Sequence, residues 1–303
     1  MRRMSRNVWR LAAGAITVAL FAACSTSSVT SSVTSPQNPV LTQPEANAVA
    51  EVVATDAASL VGGATLDAAT GMPFAVAPMP GAPAMATSSA SCMPTRTPSP
   101  PTNSDGDPVP DSVRIDFTGC TFTGDAHTVT LSGSIDIVDP TPAITDRAFR
   151  TRNNAFTRTV TNTTMGTTRS VVENGVRSVI GTPDQIQLTD TMQTDYTFAT
   201  GATASHARKW LATFVADQAG SIQMGSPLPS GNWSVSGSST LTSGTNSYSL
   251  SVSTSDPLHY NASCTVEPRF DSGTLTAVVT KGTASTTVTI QFTACGQYTV
   301  TLS

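Results

Sequence analysis

Four oxygen-bearing side chains stand close together in one short stretch of the chain: Asn103, Asp105, Asp107 and Asp111. A run of alternating apolar and polar residues begins directly after them, at residue 112. Hard cations such as Ca²⁺ bind several carboxylate and amide oxygens around one point. The spacing therefore predicts a calcium site, and a solvated acidic turn is the simpler alternative. We expect no other cofactor.

This stretch resembles the aspartate-rich calcium loops of extracellular repeat proteins. It differs from the EF-hand loop, because Pro108 replaces the glycine of the sixth position and Arg114 replaces the glutamate of the twelfth. The resemblance implies calcium as the bound ion.

Residues that could support catalysis are few and scattered. His127, His206 and His259 are far apart in sequence, and none is grouped with cysteines or carboxylates at metal-ligand spacing. The chain contains no G-x-S-x-G nucleophile elbow, no H-E-x-x-H zinc motif and no glycine-rich phosphate loop. We therefore predict no catalytic residues and no enzyme activity. A carboxylate pair that assembles only in three dimensions, as in glycosidases, stays open.

Cys24 directly follows a leader that is typical of exported proteins. The leader carries four arginines in its first ten residues and then an apolar run of 13 residues, 11–23. Such a run is too short to span a bilayer as a helix, and it fits the core of a signal peptide. Ala22 and Ala23 are the small residues that a processing enzyme accepts before the cut.

The segment Leu20–Cys24 resembles the cleavage and lipidation site of bacterial lipoprotein precursors, although the family prefers leucine where Phe21 stands. The resemblance implies a signal peptide over residues 1–23 and a lipid on Cys24 that anchors the protein to a membrane of the cell envelope. Ser25 implies sorting to the outer membrane where the source has two membranes, because the inner-membrane retention signal is usually aspartate. An ordinary secretory leader is the alternative.

Residues 24–42 are uncharged and rich in Ser, Thr and Pro. Such a stretch buries too little apolar area to fold, so we expect a flexible tether there. A single β-rich domain is expected to follow, over residues 43–303.

The other four cysteines are Cys92, Cys120, Cys264 and Cys295. An even number of cysteines in an exported protein favours disulfides, and four cysteines allow three pairings. A sequence repeat favours Cys92–Cys120 and Cys264–Cys295. A Cys₄ zinc site is the alternative, but the C-x-x-C spacing typical of such sites is absent.

The repeat joins two distant parts of the chain. Residues 112–120 (SVRIDFTGC) match 287–295 (TVTIQFTAC), and residues 128–132 (TVTLS) match 299–303. Each long match ends at one cysteine of a favoured pair. The repeat therefore predicts two disulfide-clipped units, 91–132 and 263–303, whose role is stability.

The remaining pattern predicts an all-β fold with one N-terminal helix. The helix is expected at 43–62, between a start at Thr42 and a stop at Gly63, and residues 65–110 are expected to be irregular. Over 112–303, apolar and polar residues alternate, which is typical of strands with one buried face. About ten to twelve strands would form a large antiparallel meander, folded as a sandwich, a soluble barrel or a curved half-barrel. Asn174-Gly175 predicts a hairpin turn.

Charge narrows the range of partners. The net charge is −4, and it falls to about −8 without the four leader arginines, which argues against nucleic acid. Aspartates are concentrated in 105–146 and arginines in 147–177. On adjacent strands these charges would pair across the sheet, and a contact with anionic lipid is the alternative.

Together these features predict a lipid-anchored, non-catalytic protein of the cell envelope with a structural or binding role. The alternative is an envelope carrier of an acyl chain or other hydrophobic ligand, in a half-barrel cavity lined by residues such as Phe198, Trp210 and Phe214. A surface adhesin that binds through its loops is a third hypothesis.

Overall fold

The computed structural model describes residues 31–33, 40–66, 94–123 and 127–303. Within these residues there is one helix, α1, which spans Gln43–Gly62. The thirteen strands are β1 (Ser31–Val33), β2 (Thr95–Thr97), β3 (Ser112–Thr123), β4 (His127–Val138), β5 (Phe149–Asn162), β6 (Thr167–Gly181), β7 (Gln185–Thr197), β8 (Thr203–Ala216), β9 (Gly231–Ser243), β10 (Asn246–Tyr260), β11 (Phe270–Lys281), β12 (Ala284–Ala294) and β13 (Gln297–Leu302).

All thirteen strands belong to one sheet, in the order β1-β13-β12-β11-β10-β9-β8-β7-β6-β5-β4-β3-β2. Strands β2 to β13 are antiparallel neighbours in chain order, whereas β1 pairs in parallel with β13. The predicted all-β meander of about ten to twelve strands is therefore confirmed. Two short strands differ from expectation: β2 lies inside the segment that was expected to be irregular, and β1 lies inside the expected tether 24–42, where it pairs with β13.

The sheet is open and curls around α1. Residues of α1 contact Arg169 on β6, His206 on β8 and Tyr248 on β10. The segment just before the helix contacts β12, where the backbone N–H of Val40 donates to Thr286. A flat sheet would separate β6 from β12 by about 29 Å, whereas a helix with its side chains is about 10–12 Å wide. In the described part of the chain the edge strands β1 and β2 do not pair with each other. Of the three predicted forms, the structure is the curved half-barrel.

The helix fills the concave side of this half-barrel. Its start agrees with prediction: Pro44 lies in the first turn, and the Glu45 carboxylate accepts the backbone N–H of Thr42 at 2.7 Å. Most of α1 is buried, including polar residues on the side that faces the sheet, namely Thr55, Asp56 and Ser59. A helix that is buried nearly all round needs small side chains, and six of its twenty residues are alanine.

Alternation places one face of each strand in the core. On β7 the buried residues are those with even numbers, from Ile186 to Tyr196, and the odd-numbered ones are more exposed. Strand β8 shows the same period from Ala204 to Phe214. The concave face is thus largely apolar, but at its centre the same alternation also buries charged residues.

The predicted turn at Asn174-Gly175 is wrong, because both residues lie inside the continuous strand β6. Gly175 has a φ of 146°, and a Cβ there would lie 2.3 Å from the carbonyl oxygen of Thr191 on β7. The glycine therefore serves the close approach and bending of two strands in a curled sheet, not a reversal of the chain.

The two copies of the sequence repeat lie near opposite edges of the sheet, on β3–β4 and on β12–β13. In both copies the register shifts just after the matched phenylalanine, Phe117 or Phe292. The shorter match is not equivalent in space, because Leu131 pairs with Cys120 whereas Leu302 pairs with Val288. The correspondence of the two copies therefore rests on the longer match alone.

Candidate functional site

Three aspartates converge at one rim of the half-barrel. Asp105 and Asp107 lie in the loop that precedes β3, and Asp139 directly follows β4. One carboxylate oxygen of each lies within 4.8 Å of those of the other two. The hairpin pairing of β3 with β4 causes this, because Ser112 pairs with Val138 and so brings the two flanking loops together.

Local hydrogen bonds orient each of the three carboxylates. Oδ1 of Asp105 accepts the backbone N–H of Asp107 at 3.1 Å, Oδ1 of Asp107 that of Val109 at 2.6 Å, and Oδ1 of Asp139 that of Thr141 at 2.7 Å. These are turns in which an aspartate bonds to the backbone two residues ahead. Each turn uses one carboxylate oxygen and leaves the other available.

The second oxygen, Oδ2, is buried without a hydrogen-bond partner in Asp105, Asp107 and Asp139. Burial raises the pKa of Asp107, and the charges of Asp105 and Asp139 raise it further, while the backbone N–H groups of Val109 and Asp146 oppose the shift. Because the three carboxylates lie within 4.8 Å of one another, their negative charges repel. The cluster thus concentrates negative charge at this rim of the half-barrel.

The four residues of the sequence-predicted calcium site are only partly brought together. Asp105 and Asp107 are in the cluster. The Asn103 side chain instead accepts the backbone N–H of Gly106 at 2.8 Å and donates to the carbonyl of Asp107. Asp111 accepts hydrogen bonds from the hydroxyl and the backbone N–H of Ser104, which lower its pKa.

Asp139 was missed by sequence reasoning, because it lies 32 positions after Asp107 in the chain. One signal could have found it. If β3 and β4 form a hairpin, the residues just outside its open end must be neighbours, and the backbone N–H of Asp139 donates to the carbonyl of Asp111 at 3.2 Å.

A second constellation lies at the centre of the concave face, between α1 and the sheet. Arg208 on β8 donates to Asp56 on α1 and to Asp190 on β7, each at 2.5 Å. Arg177 on β6 donates to the other oxygen of Asp190 at 2.9 Å. His206 on β8 contacts the second oxygen of Asp56. All five side chains are buried, so the helix is tied to three adjacent strands by charged hydrogen bonds.

Arg177 also contacts the C-terminal part of the helix. Its guanidinium donates to the carbonyl of Ser59 at 3.0 Å, where a positive charge is favourable. Gly63 makes room for it, since a Cβ at that position would lie 1.8 Å from a guanidinium nitrogen. Burial raises the pKa of Asp190, but the charges of Arg177 and Arg208 outweigh this and lower it overall.

His259 lies between two carboxylates. His259 contacts Asp271 at 2.6 Å through Nδ1 and Asp217 at 2.9 Å through Nε2. Burial lowers the pKa of His259, but the hydrogen bonds to Asp217 and Asp271 outweigh it and raise the pKa overall. These partners are 42 and 12 residues away in the chain, so sequence spacing did not group them.

The arginines of 147–177 do not form one surface. Arg158 and Arg177 are buried, and Arg169 pairs with Glu51 of the helix at 3.3 Å. Arg150 and Arg152 are exposed on β5, and Arg152 stands opposite Asp136 on β4.

The disulfide Cys264–Cys295 is confirmed, with the two Cα atoms 5.7 Å apart. It links the loop between β10 and β11 to the turn between β12 and β13. Cys120 lies on β3, whereas Cys92 and Cys24 lie outside the described residues. The Cys92–Cys120 pairing and the lipidation of Cys24 therefore stay predictions.

The residues expected to line a carrier cavity are differently placed. Trp210 and Phe214 are fully buried in the core. Phe198 borders a small pocket of about 10 Å³ beside Glu51 and Tyr196. A volume of about 10–15 Å³ holds one water molecule, not an acyl chain.

The fold and these constellations define a single-sheet half-barrel filled by one buried helix. No protein-family model, no curated protein and no solved structure matches the chain. A helix of the length and apolar character needed to cross a membrane is not found in the part of the chain that the structure describes.

Proposed function

We propose that the protein is a lipid-anchored, non-catalytic component of the cell envelope whose half-barrel has a structural or binding role. The lipid on Cys24 would provide its contact with the membrane, and Ser25 favours the outer membrane where two membranes are present. The leader at 1–23 and the uncharged residues between Cys24 and β1 support this anchoring.

The observation that carries the non-catalytic role is the occupied concave side of the half-barrel. The groups best suited to acid–base chemistry there, His206 with Asp56 and Asp190, are almost completely buried between α1 and the sheet. A substrate would have to displace the helix and break the ion pairs of Arg208 to reach them. The cluster is therefore better suited to holding the helix in place than to binding a substrate.

The carrier alternative meets the same obstacle. A ligand-binding half-barrel needs an apolar cavity of about 300–1,000 Å³. Here α1 and the large side chains Trp210, Phe214 and Trp233 occupy the concave side. A carrier function would thus require α1 to leave its ion-paired position.

Metabolic labelling tests the anchor. Cells that express the full chain are grown with a radiolabelled fatty acid, and the purified protein is assayed for covalent label and for partition into detergent. We expect label in the wild-type chain and in the control Ser25→Ala, and none in Cys24→Ser. Label retained in Cys24→Ser, or absent from wild type, would refute lipidation at this residue.

Native mass spectrometry of the full chain carrying Cys24→Ser tests the role of the domain. We expect the mass of the protein without an organic ligand. A co-purified lipid would favour the carrier alternative over the structural or binding role.

A further inference from the structure

We propose that Asp105, Asp107 and Asp139 together bind one Ca²⁺ ion at the rim formed by the loops before β3 and after β4. This inference goes beyond the proposed function, because it assigns a ligand that membrane anchoring does not need. It shares only Asp105 and Asp107 with the site expected from sequence.

The first argument is the state of the carboxylate oxygens. Oδ2 of Asp107 and Oδ2 of Asp139 have no hydrogen-bond partner, and these residues are only 5% and 3% exposed. Buried polar atoms are almost always paired, and an unpaired buried carboxylate oxygen is strongly unfavourable. A cation among the three carboxylates would supply the missing partner for each of these oxygens.

The second argument is the size of the cluster. Calcium binds oxygens at about 2.3–2.6 Å, so two oxygens on opposite sides of the ion are separated by about 4.8 Å. The carboxylate oxygens of the cluster lie within that distance of one another. Oxygens that surround Mg²⁺ at about 2.0–2.1 Å would also lie within this distance, so the preference for calcium rests on the number of carboxylates: magnesium keeps several of its water molecules and usually binds one or two carboxylates, not three. Water molecules and carbonyls would complete the larger coordination shell of calcium.

The third argument is what the ion would connect. Asp105 and Asp107 belong to one loop and Asp139 to another, and the loops are also joined by the hydrogen bond from Thr145 Oγ1 to the carbonyl of Asp105, at 3.3 Å. An ion bound by both loops would hold the open end of the β3–β4 hairpin together. Calcium should therefore raise the melting temperature of the folded protein.

The test is calorimetric titration of CaCl₂ into the full chain, purified in detergent and stripped of metal with a chelator. We expect one site, with a Kd of about 10⁻⁴–10⁻³ M, as in extracellular calcium modules. Asp139→Asn should weaken binding by at least about tenfold and remove the rise in melting temperature. The control Asp116→Asn removes the same charge from the neighbouring strand β3 and should bind as the wild type does.

Three results would overturn the proposal. These are absence of calcium binding by the wild-type chain, unchanged binding by Asp139→Asn, and binding of MgCl₂ as tight as that of CaCl₂. If Asp139→Asn fails to fold, Asp105→Asn, at the more exposed ligand, replaces it with the same expected loss. None of these results depends on Cys24, so the calcium site and the lipid anchor fail independently.

Discussion

The guanidinium of Arg208 on β8 donates a hydrogen bond of 2.5 Å to the carboxylate of Asp56 on α1, which lies 152 residues earlier in the chain. Arg208 also binds Asp190, so one side chain joins the helix to the centre of the sheet. Neither partner reaches water. The position of the helix therefore depends on a charge pair that would be strongly unfavourable if either partner were removed.

Replacement of Arg208 is expected to destabilise the folded protein strongly. Arg208→Met removes the arginine that pairs with Asp56 and one of the two arginines that pair with Asp190, while both carboxylates stay buried, so we expect the free energy of unfolding to fall by about 3–5 kcal/mol. Urea denaturation followed by circular dichroism measures the change. The control Arg152→Met alters an exposed arginine on β5 and should change stability by less than about 1 kcal/mol. Equal effects of the two variants would show that the buried pair does not stabilise the helix position.

The disulfide Cys264–Cys295 is expected to contribute measurably to stability. It closes a loop with a sequence separation of 31 residues, for which the chain-entropy relation gives about 3–4 kcal/mol. The double variant Cys264→Ser/Cys295→Ser should lose about this amount in urea denaturation under oxidising conditions. Peptide mapping without reductant should show the 264–295 link in wild type. A map that pairs Cys264 with another cysteine would contradict the structure.

Stability is expected to depend on pH through His259. Its folded-state pKa is raised, so the stabilisation is fully present below the unfolded pKa of about 6.5 and is lost as pH rises through the folded value. His259→Gln should therefore lower the melting temperature at pH 5–6 and have a smaller effect at pH 9. The difference between the melting temperatures of wild type and variant, followed across this range, measures the linkage. A difference that is constant with pH would exclude it.

The contribution of Asp271, a hydrogen-bond partner of His259, to stability is expected to have the opposite pH dependence. Burial raises its pKa, but hydrogen bonds from His259 and Asn261 outweigh this and lower it overall. Its stabilisation is present above the unfolded pKa of about 3.9 and is lost as pH falls through the folded value. Asp271→Asn should therefore reduce stability at neutral pH and lose this effect in acid, which thermal melts from pH 2 to pH 7 would reveal.

Of two glycines with positive φ, Gly175 and Gly282, we expect Gly175 to tolerate replacement less well. Gly282 lies in the turn between β11 and β12 with a φ of 64°, and a Cβ there would meet nothing within 4 Å. Gly282→Ala should cost about 1–2 kcal/mol from the backbone conformation alone. Gly175→Ala adds an overlap with the backbone of β7, so we expect a further loss of at least about 1–3 kcal/mol. Equal losses in urea denaturation would mean that the close approach of β6 and β7 is not required.

Much of the architecture can be predicted from the sequence. Two-residue alternation places Ile186, Leu188 and Tyr196 on one face of β7, because successive side chains of a strand point to opposite sides. The helix start at Thr42 and its end near Gly63 follow from local hydrogen bonding and are predicted correctly. These features depend on neighbours within a few residues, which the sequence displays directly.

The candidate site and the role of Gly175 can be predicted from the sequence only in part. Asp105 and Asp107 are recognisable as oxygen donors, because two aspartates separated by a single residue can point to the same side of a loop. Asp139 joins them only through the pairing of β3 with β4, and Gly175 can be mistaken for a turn because its strand context depends on β7.

The sequence by itself determined the local elements of this protein: the helix, and strands whose alternation demands one buried face. Only the tertiary structure decided that the sheet curls around α1, and so that Asp56 meets His206 and Arg208. The physical reason is that an element's period is set by bonds between near neighbours. The register and curvature of a sheet, in contrast, bring together groups about 150 residues apart, and no local pattern encodes which groups these are.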